Sequence, residues 1–256
     1  MNQTVNIEDL RTKVQGVYEK VAVEPEAEYH FEMGRRLAER LGYPSTELDR
    51  IPQEAIASFA GVGYYFDLAD LQLGDEVIDL GSGSGMDSFL AALKVGSRGE
   101  VTGIDMTDAQ LNKAEFLRKR EGFRNLAFVK SFIEDLSFED ASADVVISNG
   151  VINLSPDKAR VFKEVARVLR PGGRLAIADI VTEKQLTEAI TCNASLWAAC
   201  IGGAAQEQSY QHLIEQAGMR LMAFQANPQY QFLSKSAQEA TKEFGVKSIS
   251  LLAVKH

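Results

Sequence analysis

The stretch that most constrains this chain is Val77-Ile78-Asp79-Leu80-Gly81-Ser82-Gly83-Ser84-Gly85-Met86-Asp87. The apolar run from Glu76 to Leu80 reads as a buried parallel strand. It enters glycines at alternate positions, and from Met86 to Val95 the pattern turns helical. Strand, glycine turn and helix together can hold a small charged or zwitterionic ligand. The glycines let backbone approach closely, and the helix offers free N–H groups and the positive end of its dipole. A dinucleotide fingerprint needs Gly-x-Gly-x-x-Gly. Here that third position is Met86, and the glycine stands one place early, at Gly85. Asp79, inside the strand, would repel a pyrophosphate but welcome a sulfonium or an amino group. The plain alternative is a turn that holds no ligand.

A chain of 256 residues can form one sizeable α/β domain, or one domain with an added lobe. With 45% hydrophobic and 25% charged residues it is ordinary globular material. A net charge of −9 and the lack of a basic stripe argue against a nucleic-acid partner. The start, MNQTVNIEDLRTK, lacks the layout of a secretory signal, and the uncharged stretch Leu196 to Ala205 is too short to span a bilayer. Cys192 and Cys200 suggest neither a disulfide scaffold nor a metal site. The expectation is a soluble, cytoplasmic protein whose partner is a small molecule. Its oligomeric state is not legible.

Apolar positions at Ile7, Leu10, Val14 and Val17 predict a helix over about residues 6–20. A second helix is expected from about Ala27 to Leu41, then a less regular stretch from Ser45 to Asp70. Residues 1–70 are thus expected to form a helical lid closing on cofactor and substrate, or else a packing cap. From Gly74 strands and helices alternate. Strands are expected at Glu76–Leu80, Glu100–Asp105, Leu126–Ser131, Val145–Ser148 and Arg174–Asp179, with helices at about 86–95, 107–121 and 156–169. Arg220–Gln225 and Lys247–Lys255 look like a further, antiparallel pair. The predicted fold is α/β: a Rossmann-like, seven-stranded, mostly parallel sheet over residues 71–256, with helices on both faces and an acceptor-site insertion around 182–217. Asp105 follows Asp79 by 26 positions and falls at the carboxyl end of the next strand, where it can accept both ribose hydroxyls. The alternative for Asp105 is a helix cap.

Asp-x-Gly-x-Gly-x-Gly resembles motif I of the class I S-adenosylmethionine (SAM) methyltransferases. GIDMTDAQL, FIEDL, DVVISNGVINLSPDK, VLRPGGRLAIADI, LWAACIGGA and YQHLIEQAG, in this order, resemble the arsenite methyltransferase branch over roughly residues 60 to 220. The resemblance implies SAM as cofactor and S-adenosylhomocysteine (SAH) as product. It assigns Gly81, Ser82, Gly83 and Gly85 to the amino-acid end of SAM and Asp105 to the ribose. Met106 falls beside the adenine, Gln110 near the ribose, and Ile133 and Glu134 at the adenine edge. Ser148 and Asn149 come beneath the reacting sulfur. It also implies three cysteine thiolates for trivalent arsenic, a soft centre. Two of those places hold Val62 and Gly150, Cys200 keeps the third, and Cys192 lies eight residues earlier. The expected acceptor is therefore small, organic and partly apolar, with Gly150 enlarging the pocket floor and Val62 giving an apolar wall. A reduced thiol site, or a SAM-binding protein without catalysis, stands as the alternative, and a hydride-transferring oxidoreductase is the rival class.

Asn149, Cys200 and His30 are the candidate catalytic residues, with His30 on the lid helix as a general base or a mere packing residue. Tyr18 either caps the cofactor pocket or packs. Trp197, Tyr64 and Tyr65 could wall the acceptor site or belong to the core.

Overall fold

The computed structural model describes residues 7–191, 197 and 201–256. Helices α1 (Ile7–Val23), α2 (Arg35–Leu41), α3 (Ser45–Leu48), α4 (Gln53–Ala57) and α5 (Phe66–Ala69) precede the sheet. The alternating part runs β1 (Glu76–Leu80), α6 (Met86–Val95), β2 (Glu100–Asp105), α7 (Asp108–Glu121), β3 (Leu126–Lys130), β4 (Ala143–Asn149), α8 (Lys158–Val168) and β5 (Leu169–Thr182). After it come α9 (Glu188–Thr191), β6 (Ala205–Gln206), α10 (Glu207–Gln216), β7 (Met219–Ala226), α11 (Lys235–Phe244) and β8 (Lys247–Lys255).

The sheet order is β3-β2-β1-β4-β5-β8-β7, with the two-residue β6 pairing beside the end of β5. Strands β1 to β5 pair in parallel, and β8 is antiparallel to both β5 and β7. This is the expected Rossmann-like sheet, plus the short β6. Alternation along the central strands makes two cores. Val77, Val145, Ile147 and Ala176 face one; Ile78, Val146, Leu175 and Ile177 face the other. The first core takes Phe89 and Leu90 of α6 together with Leu10, Val14, Leu37, Leu48 and Ile56 of the N-terminal helices. The second takes Val161, Phe162 and Val165 of α8 with Tyr210 and Ile214 of α10.

Two expected elements differ. The helix over 27–41 is reduced to α2, and residues 24–34 are turns and bends. Gly34 explains this: its φ of 82° cannot continue a right-handed helix, and its N–H bonds the Phe59 carbonyl at 2.9 Å. His30 therefore stands on no lid helix. The strand expected at Arg174–Asp179 begins earlier, at Leu169, because Pro171, Gly172 and Gly173 form a bulge rather than a loop, shifting the register between Ala143 and Val145.

Candidate active site

In the sheet register Leu80 lies between Ile104 and Ser148, so Gly81 emerges between Asp105 and Asn149. That is the crevice at the carboxyl ends of β2, β1 and β4, where a doubly wound sheet changes direction. Gly81 has φ 69°, and a Cβ there would stand 2.4 Å from Val151 Cγ2, so no larger residue fits. Gly85 closes the turn: its N–H bonds the Ser82 carbonyl at 2.9 Å, and at φ 94° it caps α6. It does not itself line the cleft.

One cleft gathers most of the candidate residues: Tyr18, Asp79, Gly81, Ser82, Gly83, Asp105, Met106, Gln110, Ile133, Glu134 and Asn149 all line it. Ser84 Oγ donates to Gln110 Oε1 at 2.5 Å, while Gln110 Nε2 reaches across to the Tyr18 carbonyl at 2.8 Å. Gln15 Nε2 bonds the Met106 carbonyl at 3.3 Å. Helix α1 is thereby fastened over the cleft, adding Leu10, Arg11 and Val14 to its lining. Arg11 lies 4.5 Å from the Phe132 ring centroid and 3.7 Å from Glu134, which also accepts from Ser155 Oγ at 2.6 Å.

The electrostatics are acidic. Asp79, Asp87, Asp105 and Glu134 line the cleft, against Arg11 as the single lysine or arginine among its described lining residues. Burial raises the Asp79 carboxyl to about 8, with the Asp87 charge adding to it and the Ser88 hydroxyl, 2.5 Å away, opposing it. Burial also raises Asp87, against hydrogen bonds from Asn149, Tyr43 and Tyr65. Asp105 is raised by burial too, opposed by the N–H groups of Thr107 (2.8 Å) and Gly83 (3.0 Å). Part of the capping alternative is thus present, since Asp105 binds backbone just ahead of α7.

A SAM-sized zwitterion with two positive centres fits these residues. Among the described residues the Ser82 hydroxyl is buried without a hydrogen-bond partner, the turn presents glycines at 81 and 83 to the cleft, and Asp79, Asp87 and Asp105 form no ion pair.

Other candidates lie elsewhere. Ser148 is fully buried, its hydroxyl bonding the Leu80 carbonyl at 2.9 Å, so it ties β4 to β1 rather than facing a ligand. His30 packs edge-on against Phe31, 4.7 Å between centroids, and does not line the cleft. Cys192 and Cys200 lie outside the described residues. Tyr64, Tyr65 and Trp197 do not wall the cleft either: Tyr65 is buried in the core, and the Trp197 indole donates to the Thr191 carbonyl at 2.6 Å. Tyr18, Phe59 and Phe132 supply the aromatic lining instead.

Sequence reasoning gave Asp87 no role and did not join to it Asn149 and Tyr65, which it had singled out for other roles. Tyr43 Oη donates to Asp87 at 2.8 and 3.0 Å, Tyr65 Oη at 2.8 Å and Asn149 Nδ2 at 3.1 Å. Asn149 Oδ1 in turn accepts the Val62 N–H at 2.7 Å. The available signal was an acid two positions past the last glycine, at the positive end of a helix. Val62 itself is 1% exposed and lines no part of the cleft. Its methyl groups occupy the space above Gly150, where a Cβ would stand 3.2 Å from Val62 Cγ1. Gly150 does line the cleft, as expected of its floor, whereas the apolar wall expected at Val62 is corrected to a buried packing contact.

A family model described as a methyltransferase domain matches residues 71–218. The arsenite methyltransferase of Aquipseudomonas alcaligenes is 39% identical over 178 residues, covering 67% of this chain and 51% of that protein. The 2-phytyl-1,4-beta-naphthoquinone methyltransferase of Arabidopsis thaliana is 36% identical over 115 residues, 44% of each. The chain spans about half the length of the curated relatives it matches. Among solved structures, an arsenic(III) S-adenosylmethionine methyltransferase from Chlamydomonas reinhardtii superposes with a TM-score of 0.65 at 32% identity, covering 87% of this chain and 74% of that one. No helix of the described residues is long and apolar enough to cross a membrane. Family model, relatives and fold agree with the acidic glycine-floored cleft, and the chain belongs to the methyltransferase-domain family, in its class I, SAM-dependent and arsenite-methyltransferase-like form.

Proposed function

We propose that this chain transfers a methyl group to a small, partly apolar organic acceptor, and that it is not an efficient arsenite methyltransferase. The observation that carries the reading is the contact between Val62 and Gly150. Both stand where the resemblance implies thiolates, and they touch, so the family's adjacent soft ligands are replaced by an isopropyl group packed on bare backbone. Neither position can supply sulfur to a thiophilic centre.

When bound, SAM supplies an electrophilic methyl group on a sulfonium. Asp79 and the turn from Gly81 to Gly83 would hold its amino-acid end, and Asp105 its ribose hydroxyls. Met106, Ile133 and Glu134 would surround the adenine. Leu10 and Val14 of α1, with Phe59 and Leu154, line the cleft with apolar surface that excludes water. The segment 1–70, with α1 fastened by Gln15 and Gln110, serves in this reading as the lid. An acceptor that already carries an accessible lone pair needs alignment and dryness more than proton transfer. The acidic lining favours a neutral or cationic acceptor over a phosphorylated one. A cytoplasmic location and a small-molecule partner belong to the same reading, and the net charge of −9 weighs against nucleic acid as the partner.

The relatives favour one second reading, a weaker arsenite site built on Cys192 and Cys200. Methyl-labelled SAM supplied with a fractionated small-molecule extract tests the first. Label is expected in an organic product. Binding of SAM with no label in any fraction would leave a SAM-binding protein without catalysis.

A further inference from the structure

We propose that Asp87 is the residue by which this cleft distinguishes a cationic sulfonium ligand from the neutral thioether left after methyl transfer. Asp87 opens α6, is 6% exposed and lines the cleft. Among the described residues its side-chain donors are all neutral: two tyrosine hydroxyls and the Asn149 amide. Among the described residues no lysine or arginine forms an ion pair with it. Three such donors favour the ionised carboxylate against the effect of burial, yet none carries a compensating positive charge. A buried anion without a counter-ion is costly, and a cation entering the cleft relieves that cost.

Asp79, the other acid beside the glycine turn, has Ser88 as its one side-chain donor among the described residues. Burial raises its carboxyl to about 8, so it holds a proton more firmly than a free carboxylate does. Phe59 adds an aromatic surface lining the same cleft, packed 5.3 Å from the Tyr43 ring. A carboxylate and an aromatic surface lining one cleft suit a methylated onium group. On transfer the acceptor's lone pair bonds to carbon while the carbon–sulfur pair stays on sulfur. The ligand loses its sulfonium charge while keeping its ammonium, and with the sulfonium goes the attraction of Asp87 for that end, which favours release of the product.

The test compares Asp87→Asn with the unaltered protein by calorimetry, using SAM, SAH and sinefungin, which carries an amine where SAM has its sulfonium. SAM and sinefungin are expected to lose about tenfold or more in affinity, and SAH less than about threefold. Equal losses for all three, or none, overturn the proposal and leave Asp87 as a packing residue. Should the variant not fold, the unaltered protein decides: SAM and sinefungin must bind at least about tenfold tighter than SAH, and equal affinities overturn it. Failure of all three to bind would instead overturn the SAM assignment on which the proposal rests.

Discussion

The side-chain oxygen of Asn149 accepts the backbone N–H of Val62 at 2.7 Å, while its amide nitrogen donates to the Gly63 carbonyl at 3.0 Å. One side chain at the end of β4 thus holds the 61–63 turn and, through the same nitrogen, Asp87. Asn149→Ala strands several buried partners at once. It should destabilise the protein by about 2–4 kcal/mol in chemical denaturation. A loss below about 0.5 kcal/mol would show that water replaces the amide without cost.

The interior acids make the empty protein less stable as pH rises. Asp79, at about 8 in the fold against 3.8 in the unfolded chain, keeps a proton between those values that the unfolded chain has lost, so stability falls across that window. Asp87, Asp105 and Asp179, raised by burial, act in the same direction. Glu54 and Glu115, lowered to about 2 by arginine partners, lose their contribution only below about pH 4.5 and do not offset this. The ligand-free protein should melt at a higher temperature at pH 5.5 than at pH 8. SAM affinity should change the opposite way, because an ammonium beside Asp79 favours its ionised form, and binding at neutral pH should release protons. Calorimetry in buffers of different ionisation enthalpy measures that release.

Asp105→Ala should weaken SAM by about 2–3 kcal/mol, since it removes charge-assisted acceptors. Part of that loss comes through the loop, because Asp105 also receives the Gly83 and Thr107 N–H groups. Undiminished SAM affinity would reduce Asp105 to a backbone anchor.

Arg11 joins α1 to Phe132 and Glu134 across the cleft. With its side chain 36% exposed, it contributes less than about 1 kcal/mol to folding. Arg11→Ala should leave the melting temperature nearly unchanged but speed SAM dissociation about threefold or more in stopped-flow displacement. An unchanged off-rate would make α1 a fixed wall and not a lid.

The sheet and its glycine turn were legible because both rest on local pattern: apolar runs, alternate glycines and an acid at each strand end. Cleft-lining acids close to those glycines, such as Asp79 and Asp105, came with them. The links among Tyr43, Tyr65, Asp87 and Asn149 were not, since they join residues 22 to 106 positions apart, which no periodicity records. The helix over 27–41 was misread because its apolar spacing continues through Gly34, whose left-handed φ is imposed by its contact with Phe59. At Val62 and Gly150 the residue types were plain, but only the fold shows that one fills the space left by the other.

The preference for an organic acceptor over arsenite is tested most directly in one vessel. Methyl-labelled SAM is supplied with a small-molecule extract and with arsenite plus a thiol reductant, and products are separated with element-specific detection of arsenic. The account predicts label in an organic product and methylated arsenic no higher than in the enzyme-free blank, rising only when Val62→Cys is combined with Gly150→Cys. Methylated arsenic as the main labelled product of the unaltered protein, abolished by Cys200→Ser, would contradict it.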